Sequence, residues 1–145
     1  MMLTEHFSLE ELTFSSIAAV HGIDNTPPSG VMPRLVSLAY GLETVRALLR
    51  GIPLHIDSGY RCPALNQLVR GVPDSAHVTG DAADFICPDF GSPLDIVRFL
   101  STQTIVFDQL IQEGTWVHIS FAPMCRRQIL TAHFVNGKAS YSLGV

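Results

Sequence analysis

The sequence predicts an α+β fold, a small antiparallel sheet backed by helices. Three observations lead there. Apolar residues recur at helical spacing in the first half of the 145-residue chain, whereas short alternating segments fill the second half. The connections between those later segments are short, which favours antiparallel pairing. An apolar content of 47% is enough for a packed core. Residues 1–145 are expected to form a single domain, with residues 1–32 a helical segment and loop packed on the rest.

Each element has a local reason. Phe7-Ser8-Leu9-Glu10-Glu11-Leu12 reads as a helix start, with Ser8 as cap, Glu11 completing a capping box and Phe7 stapled to Leu12. Gly22 to Pro33, through Asn25-Thr26-Pro27-Pro28-Ser29-Gly30, is a loop by composition. The strongest helix is expected from Pro33 to Arg50, with Gly51 just past its end. Leu35, Leu38, Leu42, Val45 and Leu49 form its buried stripe. Leu54 to Asp57 reads as a strand, Pro63 to Gly71 as a short helix, and Ser92 to about Leu100 as a capped helix. Strands are expected at Ala82–Ile86, Val106–Glu113, Trp116–Phe121, Leu130–Val135 and Ala139–Leu143, with Asn136-Gly137 as a hairpin turn.

Charge and cysteine content exclude several functions. A formal charge of −4 offers no basic footprint for nucleic acid and no electrostatic attraction to anionic membranes. No apolar run is long enough to span a bilayer. The N-terminus lacks a basic region followed by an apolar run, so synthesis without a secretory signal, in the cytoplasm, is expected. Three cysteines, Cys62, Cys87 and Cys125, do not suggest a disulfide framework, and none has a nucleophile's setting. His6, His21, His55 and His133 are scattered, and Arg126-Arg127 reads as a solvated pair.

The chemistry concentrates in Ser75-Ala76-His77-Val78-Thr79-Gly80-Asp81-Ala82-Ala83-Asp84 and in Trp116-Val117-His118-Ile119-Ser120. His77, Asp84 and His118 supply two imidazoles and a carboxylate, three ligands that leave a catalytic zinc one open position. An isolated histidine and aspartate at this spacing also read as a loop histidine and a solvated carboxylate. The fuller pattern SxHxxGxAxD points to metal, because small residues at Gly80, Ala82 and Ala83 let the chain fold tightly enough for His77 and Asp84 to meet. His118 shares a strand face with Trp116 and Ser120. A two-residue turn at Gly114-Thr115 would pair Ile111 with His118 and Glu113 with Trp116. Glu113 then becomes a diagonal neighbour of His118, placed to act as general base, while Asp108 falls on the opposite face.

Together these motifs resemble the zinc peptidases of the D-Ala-D-Ala carboxypeptidase family, the M15 peptidases, and especially their small phage and prophage branch. Ser58-Gly59-Tyr60-Arg61 resembles that family's SGYR segment, and Asp108 to Glu113 the strand before its last ligand. The resemblance implies a fold like that of the hedgehog and D-Ala-D-Ala peptidases, and Zn²⁺ held by His77, Asp84 and His118. It also implies Arg61 facing the substrate carbonyl and Ser75 orienting substrate or closing a turn. Tyr60, Gln109 and Trp116 are further candidate substrate contacts, Tyr60 and Trp116 being equally plausible as core. Where branches of the family carry an acid three positions before the last histidine, this chain has Thr115, so the base is assigned to Glu113.

The expected activity is zinc-dependent hydrolysis of peptide bonds in peptidoglycan stem peptides, by a D,D-carboxypeptidase or an endopeptidase of the endolysin type. A monomer is expected, acting on the cell wall if it is a phage or prophage lysin. The same residues also suit a non-catalytic zinc-binding module for the cell wall, or a phage structural component.

Overall fold

Ser8 starts the first helix as its side chain dictates. In the computed structural model, which describes residues 1–145, its hydroxyl accepts the Glu11 N–H at 3.1 Å and α1 runs Leu9–Thr13. Phe7 and Leu12 are both buried, as a staple requires. Two short pieces follow that no period announces, α2 (Ser16–Val20, capped by Ser15) and a 3₁₀ turn at Ser29–Val31. Neither is long enough to show a repeating apolar stripe.

Helix α3 (Met32–Leu48) carries the predicted stripe, and Leu35, Leu38, Leu42, Val45 and Leu49 are all fully buried. Its end differs from expectation. The helix stops before Leu49, and Arg50 and Gly51 both take left-handed backbone, at φ 63° and 72°. Arg46, not Arg50, is therefore the basic residue of the last turn. Helix α4 (Pro63–Leu68) is capped by Cys62, whose Sγ accepts the Leu65 N–H at 3.4 Å, a structural use of that thiol. Helix α5 (Ala76–Thr79) is a single turn that sequence alone reads as loop. Helix α6 (Pro93–Ser101) has a complete capping box between Ser92 and Asp95.

Six strands form one sheet: β1 (His55–Ser58), β2 (Ala82–Ile86), β3 (Gln109–Gln112), β4 (Val117–Ser120), β5 (Gln128–Val135) and β6 (Lys138–Leu143). Their order is β1-β2-β4-β3-β5-β6. Asn136 and Gly137 turn the last hairpin with φ 52° and 74°, both positive as the tight hairpin turn requires. One pairing departs from the antiparallel expectation, because β3 and β5 run parallel and the sheet is mixed. The cause is topological. β2 already occupies the far edge of β4, so the chain leaving β4 must cross to the free edge of β3, and one reversal leaves β5 aligned with β3.

That crossing leaves Arg126 and Arg127 exposed, as expected of a solvated pair, but gives both side chains fixed partners. Arg126 forms a two-pronged pair with the buried Asp108, both contacts at 2.9 Å. Arg127 donates to the carbonyls of Ile105, Gln103 and Ser101 and lies over the Phe107 ring. Free carbonyls at the end of α6 and in the stretch before β3 need donors, and the crossing segment supplies them.

One face of the sheet is core. Ala83, Phe85, Val117 and Ile119 pack in a single cluster with the stripes of α3 and α6, joined by Phe7 and Leu12 from the N-terminal segment. The other face carries the site.

Candidate metal centre

Strand register alone aligns a row of side chains across the whole sheet on its non-core face. Ser58 pairs with Asp84, Asp84 with His118, His118 with Ile111, Ile111 with Leu130 and Leu130 with Leu143. Facing residues of paired strands share a face. Asp84 and His118, 34 positions apart in sequence, thus become direct neighbours, with Asp84 Oδ1 and His118 Nδ1 at 2.9 Å. The predicted pairing of Ile111 with His118 is present, and the Glu113 N–H donates to the Trp116 carbonyl at 3.0 Å.

His77 reaches the same point from α5. Ser75 caps that turn by accepting the His77 N–H at 3.2 Å, the turn-closing option of its two expected roles. Gly80 ends the turn in left-handed backbone at φ 80°, and Asp81 is clamped by Arg34 at 2.8 Å and by Thr79 at 2.6 Å. The tight Gly80–Ala83 passage then leads directly into β2, with Ala82 and Ala83 fully buried. An alanine at position 80 would suffer twice, from its backbone and from a Cβ meeting Val31 Cγ1 at 2.7 Å. Gly80→Ala should therefore lose on the order of 1–2 kcal/mol from the backbone alone. Thermal unfolding should show a larger drop than for Gly22→Ala, where φ is 64° but a Cβ meets nothing within 4 Å. Equal drops would mean that the packing of α5 against α3 contributes nothing.

The donor set fits a metal ion. One ligand atom from each of His77, Asp84 and His118 lies within 4.8 Å of the others. His77 Nδ1 sits 2.7 Å from the Gly59 carbonyl, an acceptor only, so Nδ1 carries the proton and Nε2 is free to ligate. Burial lowers the His77 pKa, opposed by the Asp84 charge, and favours a neutral ring. Burial also acts to raise Asp84, but the imidazoles that face it, with the His118 hydrogen bond among their effects, win and hold its carboxyl well below the usual range. A neutral His77 turns a lone pair from Nε2 toward Asp84 Oδ1 at 3.3 Å. Two electron-rich atoms so placed call for a cation between them. Two imidazoles and one carboxylate are a zinc donor set.

The other predicted site residues divide. Glu113 is buried on the site face, and burial raises its carboxyl above the ordinary range, with His118 acting to lower it. Arg61 is half-buried and pairs with no carboxylate, unlike Arg34 and Arg126. Its Nε is buried without a hydrogen-bond partner. Its backbone N–H ties the chain after β1 to the His77 carbonyl at 3.1 Å. Tyr60 takes the core position, only 3% exposed, so its ring offers almost nothing to a substrate. Gln109 lies on the site face but its Nε2 donates to Gln128 at 2.7 Å, and Trp116 is half-buried beside Phe134.

Sequence reasoning missed the part played by the Gly59 carbonyl. The signal was the glycine itself, since a Cβ there would strike the Leu12 carbonyl. Only glycine lets this strand end pass under α1 with its carbonyl aimed at His77. The scattered histidines make local contacts elsewhere, such as His6 with Glu43 at 2.8 Å and His133 with Ser142 at 2.8 Å.

An α+β sheet whose open face gathers two histidines and an aspartate presents the three-donor set that mononuclear metal-dependent hydrolases use. The sequence model of the peptidase M15 family matches residues 5–120, and the chain belongs to that family. Membership implies a zinc metallopeptidase acting on a peptide substrate. A search of curated proteins found no match. No helix is long and apolar enough to cross a membrane.

Proposed function

We propose that the protein hydrolyses peptide bonds in peptidoglycan stem peptides, with His77, Asp84 and His118 as its zinc ligands. The observation carrying this reading is the convergence of those three donors on one point of the open sheet face. The SGYR and SxHxxGxAxD segments support the substrate class through their likeness to D-Ala-D-Ala carboxypeptidases.

Zinc, when bound, supplies a Lewis acid that makes water nucleophilic near neutral pH. The chain does the rest. Glu113, on the same face two residues beyond the partner of His118, takes the proton of the attacking water and delivers it to the leaving amine. Burial keeps the Glu113 carboxyl raised, which makes it a better proton acceptor than an exposed glutamate. Arg61 holds the scissile carbonyl oxygen as charge builds on it. An arginine with a buried, unpartnered Nε and no carboxylate of its own has donor capacity to spare for that oxygen. Ser75 and Tyr60 shape the site from behind through the cap of α5 and the core. Gln109 and Trp116 line the sheet face on either side of the ligand row.

The test is digestion of purified peptidoglycan by zinc-loaded protein and by protein stripped with a chelator, with fragments identified by mass. Zinc-loaded protein should release them and stripped protein should not. Free D-alanine marks a carboxypeptidase, and larger stem fragments mark an endopeptidase. No release by the zinc-loaded protein would rule out this substrate class.

A further inference from the structure

The family match ends at residue 120, yet the sheet continues through β5 and β6 and brings a further polar side chain to the site face. Next to the row of metal ligands lies a second row. Trp116 stands opposite Glu113, and the parallel register that pairs Gln112 with Thr131 sets Glu113 beside Ala132. Ala132 in turn pairs with Tyr141 on β6. Only the methyl group of Ala132 separates the Glu113 and Tyr141 side chains, on backbones two strand spacings or about 10 Å apart. A tyrosine and a glutamate leaning over one methyl group can span that gap together.

Ala132 is buried to 8% exposure while Tyr141 remains 52% exposed. The side-chain hydrogen bonds of the hairpin run among His133, Ser140 and Ser142 and leave the Tyr141 hydroxyl unused. Burial of part of the ring, with the negative charges of Glu113 and Asp84, raises the phenol, so it is a proton donor at neutral pH. Those same charges disfavour a carboxylate beside it and favour a neutral acceptor.

We propose that the β5–β6 hairpin forms a wall of the substrate site and that Tyr141 is a substrate-contacting residue, its hydroxyl donating a hydrogen bond to an amide carbonyl oxygen of the bound peptide. This rests on the stem-peptide reading given above. Tyr141 is half exposed and its hydroxyl holds no hydrogen bond, so removing its oxygen tests the contact without disturbing the fold.

The probe is a synthetic stem pentapeptide ending in D-Ala-D-Ala. Its binding is titrated by calorimetry into zinc-loaded Glu113→Gln protein, where turnover is suppressed, with and without Tyr141→Phe. Loss of one neutral hydrogen bond should weaken binding about 3- to 10-fold. In otherwise wild-type protein KM should rise by the same factor with kcat nearly unchanged, and zinc content and Tm should stay the same. Equal binding with and without Tyr141→Phe overturns the assignment of Tyr141 alone. If both proteins take up zinc and neither binds the peptide, the stem-peptide reading fails and the Tyr141 contact falls with it.

Discussion

His118→Ala is expected to remove zinc binding and peptide hydrolysis together. In the proposed centre the imidazole is one of only three protein donors, and its Nδ1 lies 2.9 Å from the Asp84 carboxylate. Loss of an outer partner of a ligand already costs roughly 10- to 100-fold in affinity or activity, so loss of a ligand itself should exceed that. Zinc content measured after dialysis should fall from one ion per chain to near zero. A second readout does not depend on catalysis. Zinc at about 100 times its Kd stabilises a protein that binds it only when folded by about 2.7 kcal/mol. For a chain of this size that raises Tm by roughly 5–10 °C. Wild-type protein should show the rise and His118→Ala should not. Asp84→Asn, which keeps shape but removes charge, should behave like His118→Ala. Full zinc uptake by both variants would show that the three side chains do not form the centre.

Glu113→Gln should separate catalysis from metal binding. Zinc content should stay at the wild-type level, while kcat falls by about 10²- to 10⁴-fold, the usual contribution of a positioned general base. The stability of the metal-free protein supplies the control. The Glu113 carboxyl is raised in the folded state, chiefly by burial, so folding favours its protonated form. Its ionised form therefore penalises folding above the raised pKa, and the penalty vanishes below the ordinary glutamate value. Glutamine carries no such penalty, and metal-free Glu113→Gln should unfold at neutral pH no lower than wild type. A purely structural glutamate would show the reverse, with Tm lost and kcat kept. Unchanged kcat would instead move the base elsewhere, although Thr115 cannot take the role at neutral pH.

Both predictions concern residues named from sequence, and the reason they could be named is local. His77, Gly80 and Asp84 lie within one short segment, whose glycine and small residues betray a tight turn into a strand. Alternation around His118 and the two-residue turn at Gly114-Thr115 set the register that brings Glu113 to the same face. The α3 stripe and the caps at Ser8 and Ser92 were readable for the same reason, since each depends on neighbours a few positions away.

What sequence by itself determined about this protein is thus the α+β class, the core stripe, the three candidate metal donors and the family they signal. These rest on periodicity and short-range geometry, which the chain carries at every point. Tertiary structure alone decided what depends on long-range pairing. It made the sheet mixed by sending β5 to the one free edge of β3, and tied Arg126 and Arg127 to Asp108 and to backbone carbonyls at that crossing. It put Tyr60 in the core, aimed the Gly59 carbonyl at His77, and carried Tyr141 across two strands to the side of Glu113. No local pattern encodes which strand edges are already taken, and that occupancy is what set each of these positions.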